Sequence, residues 1–148
     1  MTVPGSTDVV TSARGWLGTP YRHRASTKGA GCDCLGLVLG IWRDFRGAEP
    51  EIVPHYQAGW AEVDGDERLW AAMRRNLTEL AGGSDLTTGQ IILFRMRDRA
   101  AARHLGILSQ CGQEGVARFI HAYDPHGVVE SPLSVPWRRR IVARFELI

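Results

Sequence analysis

The spacing of hydrophobic and polar positions changes near the middle of this 148-residue chain. In the first half, apolar side chains recur three or four residues apart, as they do along one face of a helix. From Gln90 onwards, short apolar or alternating runs lie between polar turns, which is typical of strands. The pattern therefore predicts an α+β protein in which N-terminal helices pack on a C-terminal antiparallel sheet.

The first predicted helix runs from about Thr7 to Leu17, where apolar residues recur at helical spacing. We expect Ser6 or Thr7 to cap its start and Gly18 to close it, because Pro20 forbids continuation. The segment from Arg22 to Gly31 is rich in Arg, Gly, Ser and Thr, and it predicts an irregular loop.

A second helix is predicted to start at Cys34 and to end at Gly47. A third is predicted from Asp64 to Leu80, with a capping box between Asp64 and Glu67. Its apolar face is expected to be core rather than a binding surface. That face consists of Leu69, Trp70, Met73 and Leu77.

Five strands are predicted in the second half, separated by polar or glycine-containing turns. They are Ile91 to Met96, His104 to Ser109, Ala117 to Tyr123, Val128 to Glu130 and Ile141 to Leu147. With 44% hydrophobic and 23% charged residues, the composition is that of a globular protein, and the length fits one domain over residues 1–148.

The charge balance argues against a nucleic-acid-binding protein, since the formal net charge is only +2. Positive charge is nevertheless concentrated in a run of three residues, Arg138, Arg139 and Arg140. One interpretation is a solvated face beside a strand. The other is a docking patch for an acidic protein or an anionic wall polymer.

Three cysteines make an odd number without paired spacings, so we do not expect a disulfide framework. The first residues lack the basic stretch and apolar segment of a signal peptide, and no segment has the length of a membrane anchor. We therefore expect synthesis in the cytoplasm without a signal peptide.

Cys34 is the candidate nucleophile, because it opens a predicted helix. The positive end of the helix dipole favours a thiolate, and the free N–H groups of the first turn can bind an oxyanion. Such activation lowers a thiol pKa, so we expect an alkylating reagent to label Cys34 before Cys111. Cys32 falls in the loop before the helix and receives no firm role.

Two histidines on later strands are candidate partners of Cys34. Strand alternation places Phe119, His121 and Tyr123 on one face, where His121 can orient the ring of His104. A nucleophile, a base and an orienting group form the triad arrangement of hydrolases. Taken singly, a cysteine or a histidine is more often structural, so the prediction depends on the combination.

Metal binding is the competing chemistry, because cysteines and histidines are also zinc ligands. Structural zinc sites present two clustered pairs of ligands, whereas this chain has one Cys-x-Cys, at Cys32 and Cys34, and no second pair. We therefore predict neither a metal nor another cofactor.

These residues resemble the NlpC family of papain-like cysteine peptidases, and more narrowly its phage cell-wall branch, which includes peptidases of gene transfer agents. The resemblance covers most of the chain. The segments that carry it are Gly18-Thr19-Pro20-Tyr21, Asp33-Cys34-Leu35-Gly36-Leu37-Val38, the run from Leu86 to Phe94, His104-Leu105-Gly106-Ile107-Leu108 and Phe119-Ile120-His121-Ala122.

The resemblance implies roles for five residues: Cys34 as nucleophile, His104 as base, His121 as the group orienting that base, Tyr21 as a contributor to the oxyanion and substrate pocket, and Asp33 beside the nucleophile. Many members of the family have Ser where this chain has Leu35, and an acidic residue where it has Gln90. The first difference leaves open whether the free amino end of a stem peptide is bound.

The implied function is a cell-wall endopeptidase that cuts peptidoglycan stem peptides, at the bond between D-γ-glutamyl and diaminopimelate. A phage-like tail or gene transfer agent particle is the implied carrier to the target-cell periplasm, with tail-tip or baseplate proteins as partners. Two alternatives stay open: an N-acetylmuramoyl-L-alanine amidase, and a structural tail-tip adaptor with little or no turnover.

Overall fold

The computed structural model describes residues 5–47, 67–112 and 115–147. Four helices and eight strands lie within these ranges. In chain order they are α1 (Ser6–Arg14), β1 (Ser26–Thr27), β2 (Gly31–Cys32), α2 (Cys34–Arg46), α3 (Arg68–Asn76), β3 (Thr78–Glu79), β4 (Ile91–Phe94), β5 (His104–Gln110), β6 (Arg118–Tyr123), β7 (Gly127–Pro132), α4 (Val135–Arg139) and β8 (Ile141–Glu146).

Six strands form one antiparallel sheet in the order β3-β8-β4-β5-β6-β7. Every residue of β4 is buried, as is nearly all of β5, so these strands form the centre of the molecule. Residues from α1, α2 and α3 cover one face of the sheet. The predicted α+β class, with the helix that starts at Cys34 packed on an antiparallel sheet, is confirmed.

The helix α2 has the predicted bounds, and local chemistry explains both ends. The Asp33 carboxylate caps the N-terminus by accepting a hydrogen bond of 2.7 Å from the Gly36 amide. Gly47 ends the helix with a φ of 74°, which an L side chain rarely adopts. Between them, Leu37 and Ile41 are fully buried against the sheet.

The helix α1 is shorter than predicted. It ends at Arg14 rather than Leu17, and Gly15 follows as the C-cap. Its N-cap is Gly5, whose amide donates to the Asp8 carboxylate at 3.0 Å, so the predicted caps at Ser6 or Thr7 are wrong. At the start of α1 the side-chain acceptor is therefore the carboxylate of Asp8, whereas the sequence predicted a hydroxyl cap.

The third helix is also shorter than its apolar pattern predicted. It ends at Asn76, Leu77 is extended, and Thr78 and Glu79 form a strand that pairs with β8. Pairing with a sheet edge therefore replaces the last helical turn. Met73 is buried as predicted, whereas Asp64 of the predicted capping box lies outside the described residues.

Two further elements were not predicted. The loop expected from Arg22 to Gly31 contains a short hairpin of β1 and β2, in which Ser26 pairs with Cys32. A helix, α4, carries Arg138 and Arg139, and Arg140 directly precedes β8, so the arginine run ends next to a strand, as one interpretation assumed. Pro136 lies in its first turn, where the fixed φ of proline favours a helix start.

Candidate active site

The thiol of Cys34 lies where the first turn of α2 meets the start of β5. Its sulfur donates to the carbonyl oxygen of Arg103 at 3.4 Å. The amides of Leu35 and Leu105 also hydrogen-bond the sulfur and lower the pKa of the thiol. The sulfur therefore contacts the backbone on both sides of His104.

The pairing of the strands leaves room for the helix at this point. The registered pairs between β4 and β5 extend to His104, which pairs with Phe94. The registered pairs between β5 and β6 begin only at Ile107. The start of β5 is thus held from the β4 side, while the N-terminus of α2 reaches its backbone.

His104 and His121 are joined ring to ring. His104 Nε2 lies 2.8 Å from His121 Nδ1, and His121 Nε2 lies 2.9 Å from the Ser131 hydroxyl. His104 Nδ1 is therefore the ring nitrogen that does not face His121. The structure brings the rings of His104 and His121 into direct contact and places the Cys34 sulfur against the backbone on both sides of His104.

Aromatic side chains enclose the histidine pair. The His121 ring stacks on Tyr123 at 5.2 Å between centroids and lies 4.2 Å from Phe119, on the face that strand alternation predicted. From α4, Trp137 approaches both histidine rings, at 5.6 Å from His104 and 5.2 Å from His121. Both histidines are almost completely shielded from solvent, with exposures of 8% and 0%.

This burial sets the protonation states of the group. Burial lowers the pKa of His121 to about 4, and it lowers the pKa of His104 well below its usual value. Burial also raises the pKa of the Cys34 thiol to about 12, because a low-dielectric environment disfavours the thiolate. The resting group is a neutral thiol beside neutral imidazoles, so the expectation of a lowered thiol pKa is wrong.

Tyr21 lies beside the sulfur and remains a hydrogen-bond donor. Burial raises the pKa of its phenol to about 12, and the neighbouring Cys34 and Asp33 raise it further. An isolated bridge to Cys32 holds the backbone of Tyr21 next to the residue pair that precedes the sulfur. The position agrees with the predicted pocket for an oxyanion, although the role itself stays a prediction.

Asp33 is 2% exposed, and both of its oxygens accept from backbone amides. Besides the bond from Gly36, Oδ2 accepts from Arg24 N at 2.8 Å, and His23 Nδ1 lies 3.9 Å away. These contacts fix the start of α2 and the loop before it. A contact between Asp33 and substrate stays a prediction.

Three residues of the site were not found from the sequence. Arg103 places a positive charge that lowers the pKa of Cys34, Tyr21 and His104. Trp137 directly precedes the arginine run and was assigned no role. Ser131 lies just beyond the predicted end of its strand at Glu130. Alternation along a longer strand is the signal by which Ser131 could have been found.

The other two thiols have different surroundings. Cys32 is fully buried in the hairpin, and Cys111 packs against the apolar cluster that contains Phe94 and Phe119. All three cysteines are free thiols. Among the described residues, no three of the His, Cys, Asp and Glu side chains cluster as metal ligands, and no helix is long and apolar enough to cross a membrane.

Solved structures share this architecture. An NlpC/P60 family protein from Bacillus cereus ATCC 10987 has a TM-score of 0.68 at 19% identity, over 99% of this chain and 41% of its own. This is an NlpC/P60 fold. An NLP/P60 family protein from Staphylococcus aureus subsp. aureus Mu50 has a TM-score of 0.60 at 19% identity, over 99% of this chain and 43% of its own.

This chain also has nearly the same length as one isolated domain with the NlpC/P60 fold. The NlpC/P60 domain of the peptidoglycan hydrolase SagA has a TM-score of 0.63 at 17% identity, over 97% of this chain and 99% of that domain. The chain spans about two fifths of the first two proteins, at 41% and 43%. No family profile and no curated protein matches the sequence.

Proposed function

We propose that this protein is a cysteine endopeptidase that hydrolyses peptidoglycan stem peptides. The observation that carries the proposal is the position of the Cys34 sulfur, at the N-terminus of α2, against the backbone on both sides of His104, whose ring contacts His121. The NlpC/P60 fold supports the substrate class, since one neighbour with this fold is named a peptidoglycan hydrolase.

The neutral resting state favours general-base catalysis over a preformed ion pair. As the Cys34 sulfur attacks the scissile carbonyl, its proton moves to His104 Nδ1 and the ring becomes an imidazolium. The imidazolium then protonates the leaving amine, which departs and leaves a thioester on Cys34. Water hydrolyses the thioester with His104 again as base, and the free thiol returns.

Tyr21 and the start of α2 offer donors to the developing oxyanion. The phenol of Tyr21 keeps its proton at neutral pH, and the amide of Cys34 opens the first turn of α2, whereas the amides of Leu35 and Gly36 already donate to the Cys34 sulfur and to Asp33. Donors aimed at a developing negative charge contribute most in a site that excludes water. We assign Tyr21 and the start of α2 to this role.

The bond between D-γ-glutamyl and diaminopimelate is the proposed cleavage site, on the family resemblance. An N-acetylmuramoyl-L-alanine amidase would use the same thiol and imidazole and is the second candidate for the bond. Leu35 stands where many relatives have Ser, so binding of a free peptide amino end is not part of the proposal.

We further propose that a phage-like tail or gene transfer agent particle carries the enzyme to the target-cell periplasm. Arg138 and Arg139 of α4 are exposed and available to an acidic tail-tip or baseplate protein. An adaptor with the same fold and little turnover is the alternative. The high pKa of the Cys34 thiol favours this adaptor, because a thiol with a high pKa reacts slowly in the isolated protein.

Digestion of purified sacculi tests the activity. The wild type, Cys34→Ala and, as a matched control, Cys111→Ala are incubated with sacculi, and released fragments are identified by mass spectrometry. We expect the wild type and Cys111→Ala to release fragments with a new diaminopimelate amino end, and Cys34→Ala to release none. A new L-alanine amino end would identify the amidase instead.

Absence of release, or equal release by wild type and Cys34→Ala, would remove the enzyme proposal. Co-purification of the inactive protein with tail proteins would then support the adaptor. Loss of co-purification after replacement of Arg138 and Arg139 by Gln would place the contact on α4.

A further inference from the structure

His121 has a second polar contact besides His104, and that contact is on the edge strand of the sheet. Its Nε2 lies 2.9 Å from the hydroxyl of Ser131 on β7. Within the part of the chain that the structure describes, His121 thus contacts His104 through one ring nitrogen and this hydroxyl through the other. A buried imidazole needs a partner for each ring nitrogen, because an unpaired buried polar group is costly.

The strand register keeps Ser131 in place. In the pairing of β6 with β7, His121 pairs with Val129 and Phe119 pairs with Ser131. Ser131 is therefore the diagonal neighbour of His121 on the same face of the sheet. The opposite face is anchored at Glu130, which accepts from Ser109 on β5 at 2.6 Å and pairs with Arg14 at 2.7 Å.

Two proton arrangements are compatible with these distances. In the first, His104 Nε2–H donates to His121 Nδ1, and His121 Nε2–H donates to the Ser131 oxygen. In the second, all donors and acceptors are reversed, and the Ser131 hydroxyl donates to His121. Only the first leaves His104 Nδ1 without a proton, so that it can accept one from the Cys34 thiol.

The first arrangement is favoured by the chemistry of imidazole, whose neutral form prefers its proton on Nε2. It requires an acceptor at His121 Nε2, and the hydroxyl of Ser131 supplies one. We propose that Ser131 is a positioning residue that fixes the Nε2–H tautomer of His121 and, through it, keeps His104 Nδ1 free to act as the base.

Removal of the hydroxyl removes that selection. With Ser131→Ala, the N–H of His121 Nε2 has no acceptor, so the ring gains by shifting its proton to Nδ1 or by rotating. Either change turns the contact with His104 into a clash of donors or forces His104 to hold its proton on Nδ1. His104 then no longer accepts the proton of the Cys34 thiol, although both side chains and the substrate pocket are still present.

Ring tautomers can be measured directly by two-bond ¹H–¹⁵N correlation spectra of the histidines at neutral pH. The variants are Ser131→Ala and the conservative Ser131→Thr, which keeps the hydroxyl. The matched control is Ser109→Ala, which removes a buried hydroxyl that bonds Glu130 and not the histidines. We expect Nε2–H on both His104 and His121 in the wild type, Ser131→Thr and Ser109→Ala, and a changed tautomer in Ser131→Ala.

Turnover supplies the second readout. We expect Ser131→Ala to lower kcat about tenfold, the effect of one lost hydrogen bond at this strength, with KM unchanged and activity restored in Ser131→Thr. The kinetic part rests on the proposed function, whereas the spectra do not need a substrate. Inactive wild-type protein with the expected tautomers would therefore count against the function and leave the positioning role supported.

Two results would overturn the proposal. One is Nδ1–H on His121 in the wild type, which reverses the donors of the whole group. The other is a Ser131→Ala protein whose spectra, and whose kcat where turnover occurs, equal those of Ser109→Ala. If Ser131→Ala does not fold, the spectra of the wild type and of Ser131→Thr decide the question.

Discussion

At Cys34, the effect of burial on the thiol is larger than that of the helix dipole. A helix N-terminus contributes about 0.3 to 1 kcal/mol at exposed sites. Burial acts in the opposite direction and raises the pKa of the thiol to about 12. The sequence indicates that Cys34 starts a helix, but it cannot show how closely β5 surrounds the sulfur.

The first prediction concerns the reactivity of that thiol. In the free protein, the rate of alkylation of Cys34 by iodoacetamide should rise about tenfold per pH unit from pH 7 to 10, because the thiolate is the reactive form. Peptide mapping in a Cys111→Ala background assigns the label. A rate that is already constant between pH 6 and 8 would show a preformed thiolate and contradict a resting Cys34 thiol that is neutral.

The second prediction concerns stability and the buried histidines. The pKa of His121 is about 4 in the folded protein and 6.5 in the unfolded chain, so the unfolded chain binds the proton more readily between these values. The stabilising contribution is complete above pH 6.5 and is lost as pH falls toward 4. At pH 5 the loss is about 2 kcal/mol, and His104 adds to it in the same direction.

Urea unfolding between pH 4 and 8 measures this dependence. His121→Asn should flatten the curve between pH 4 and 6.5, whereas replacement of the exposed His126 by Asn should leave it unchanged. A wild-type stability that is constant from pH 7 to pH 5 would show that the histidine pair is not buried in its neutral form.

At the scale of elements, the bounds of α2 follow from local signals, whereas the other boundaries depend on tertiary contacts. Asp33 and Gly47 mark the two ends of α2 in the sequence. By contrast, the helical pattern near Leu77 gives way to a strand because β8 offers it an edge. The helix α4 has only 5 residues, too few for a periodic signal, so Trp137 could not be assigned to the site.

The contact of α2 with Trp16, in the turn after α1, gives the third prediction. A Cβ on Gly40 would lie 2.0 Å from the Trp16 ring, which is buried. Gly40→Ala should therefore lower the free energy of unfolding by about 1 to 3 kcal/mol, although alanine has the higher helix propensity. Gly82→Ala, where a Cβ meets no atom within 4 Å, is the control. A stabilised Gly40→Ala protein would contradict the packing.

At the scale of the whole molecule, the fold brings together residues from distant parts of the chain. Cys34 lies on α2, His104 on β5 and His121 on β6. The class of fold and the order of these elements could be predicted from periodicity and turn residues. The enclosure by aromatic rings could not, because it depends on the register of β6 with β7 and on the packing of Trp137.

The measurement that tests the central claim most directly is trapping of the acyl-enzyme. Wild-type protein is mixed with purified muropeptides, quenched in acid within one turnover, and analysed by intact-mass and peptide-mapping spectrometry. We predict a thioester of the stem-peptide fragment on Cys34 that hydroxylamine removes and that is absent in Cys34→Ala. Release of cleaved peptide without any adduct on Cys34, or equal release by Cys34→Ala, would contradict the account.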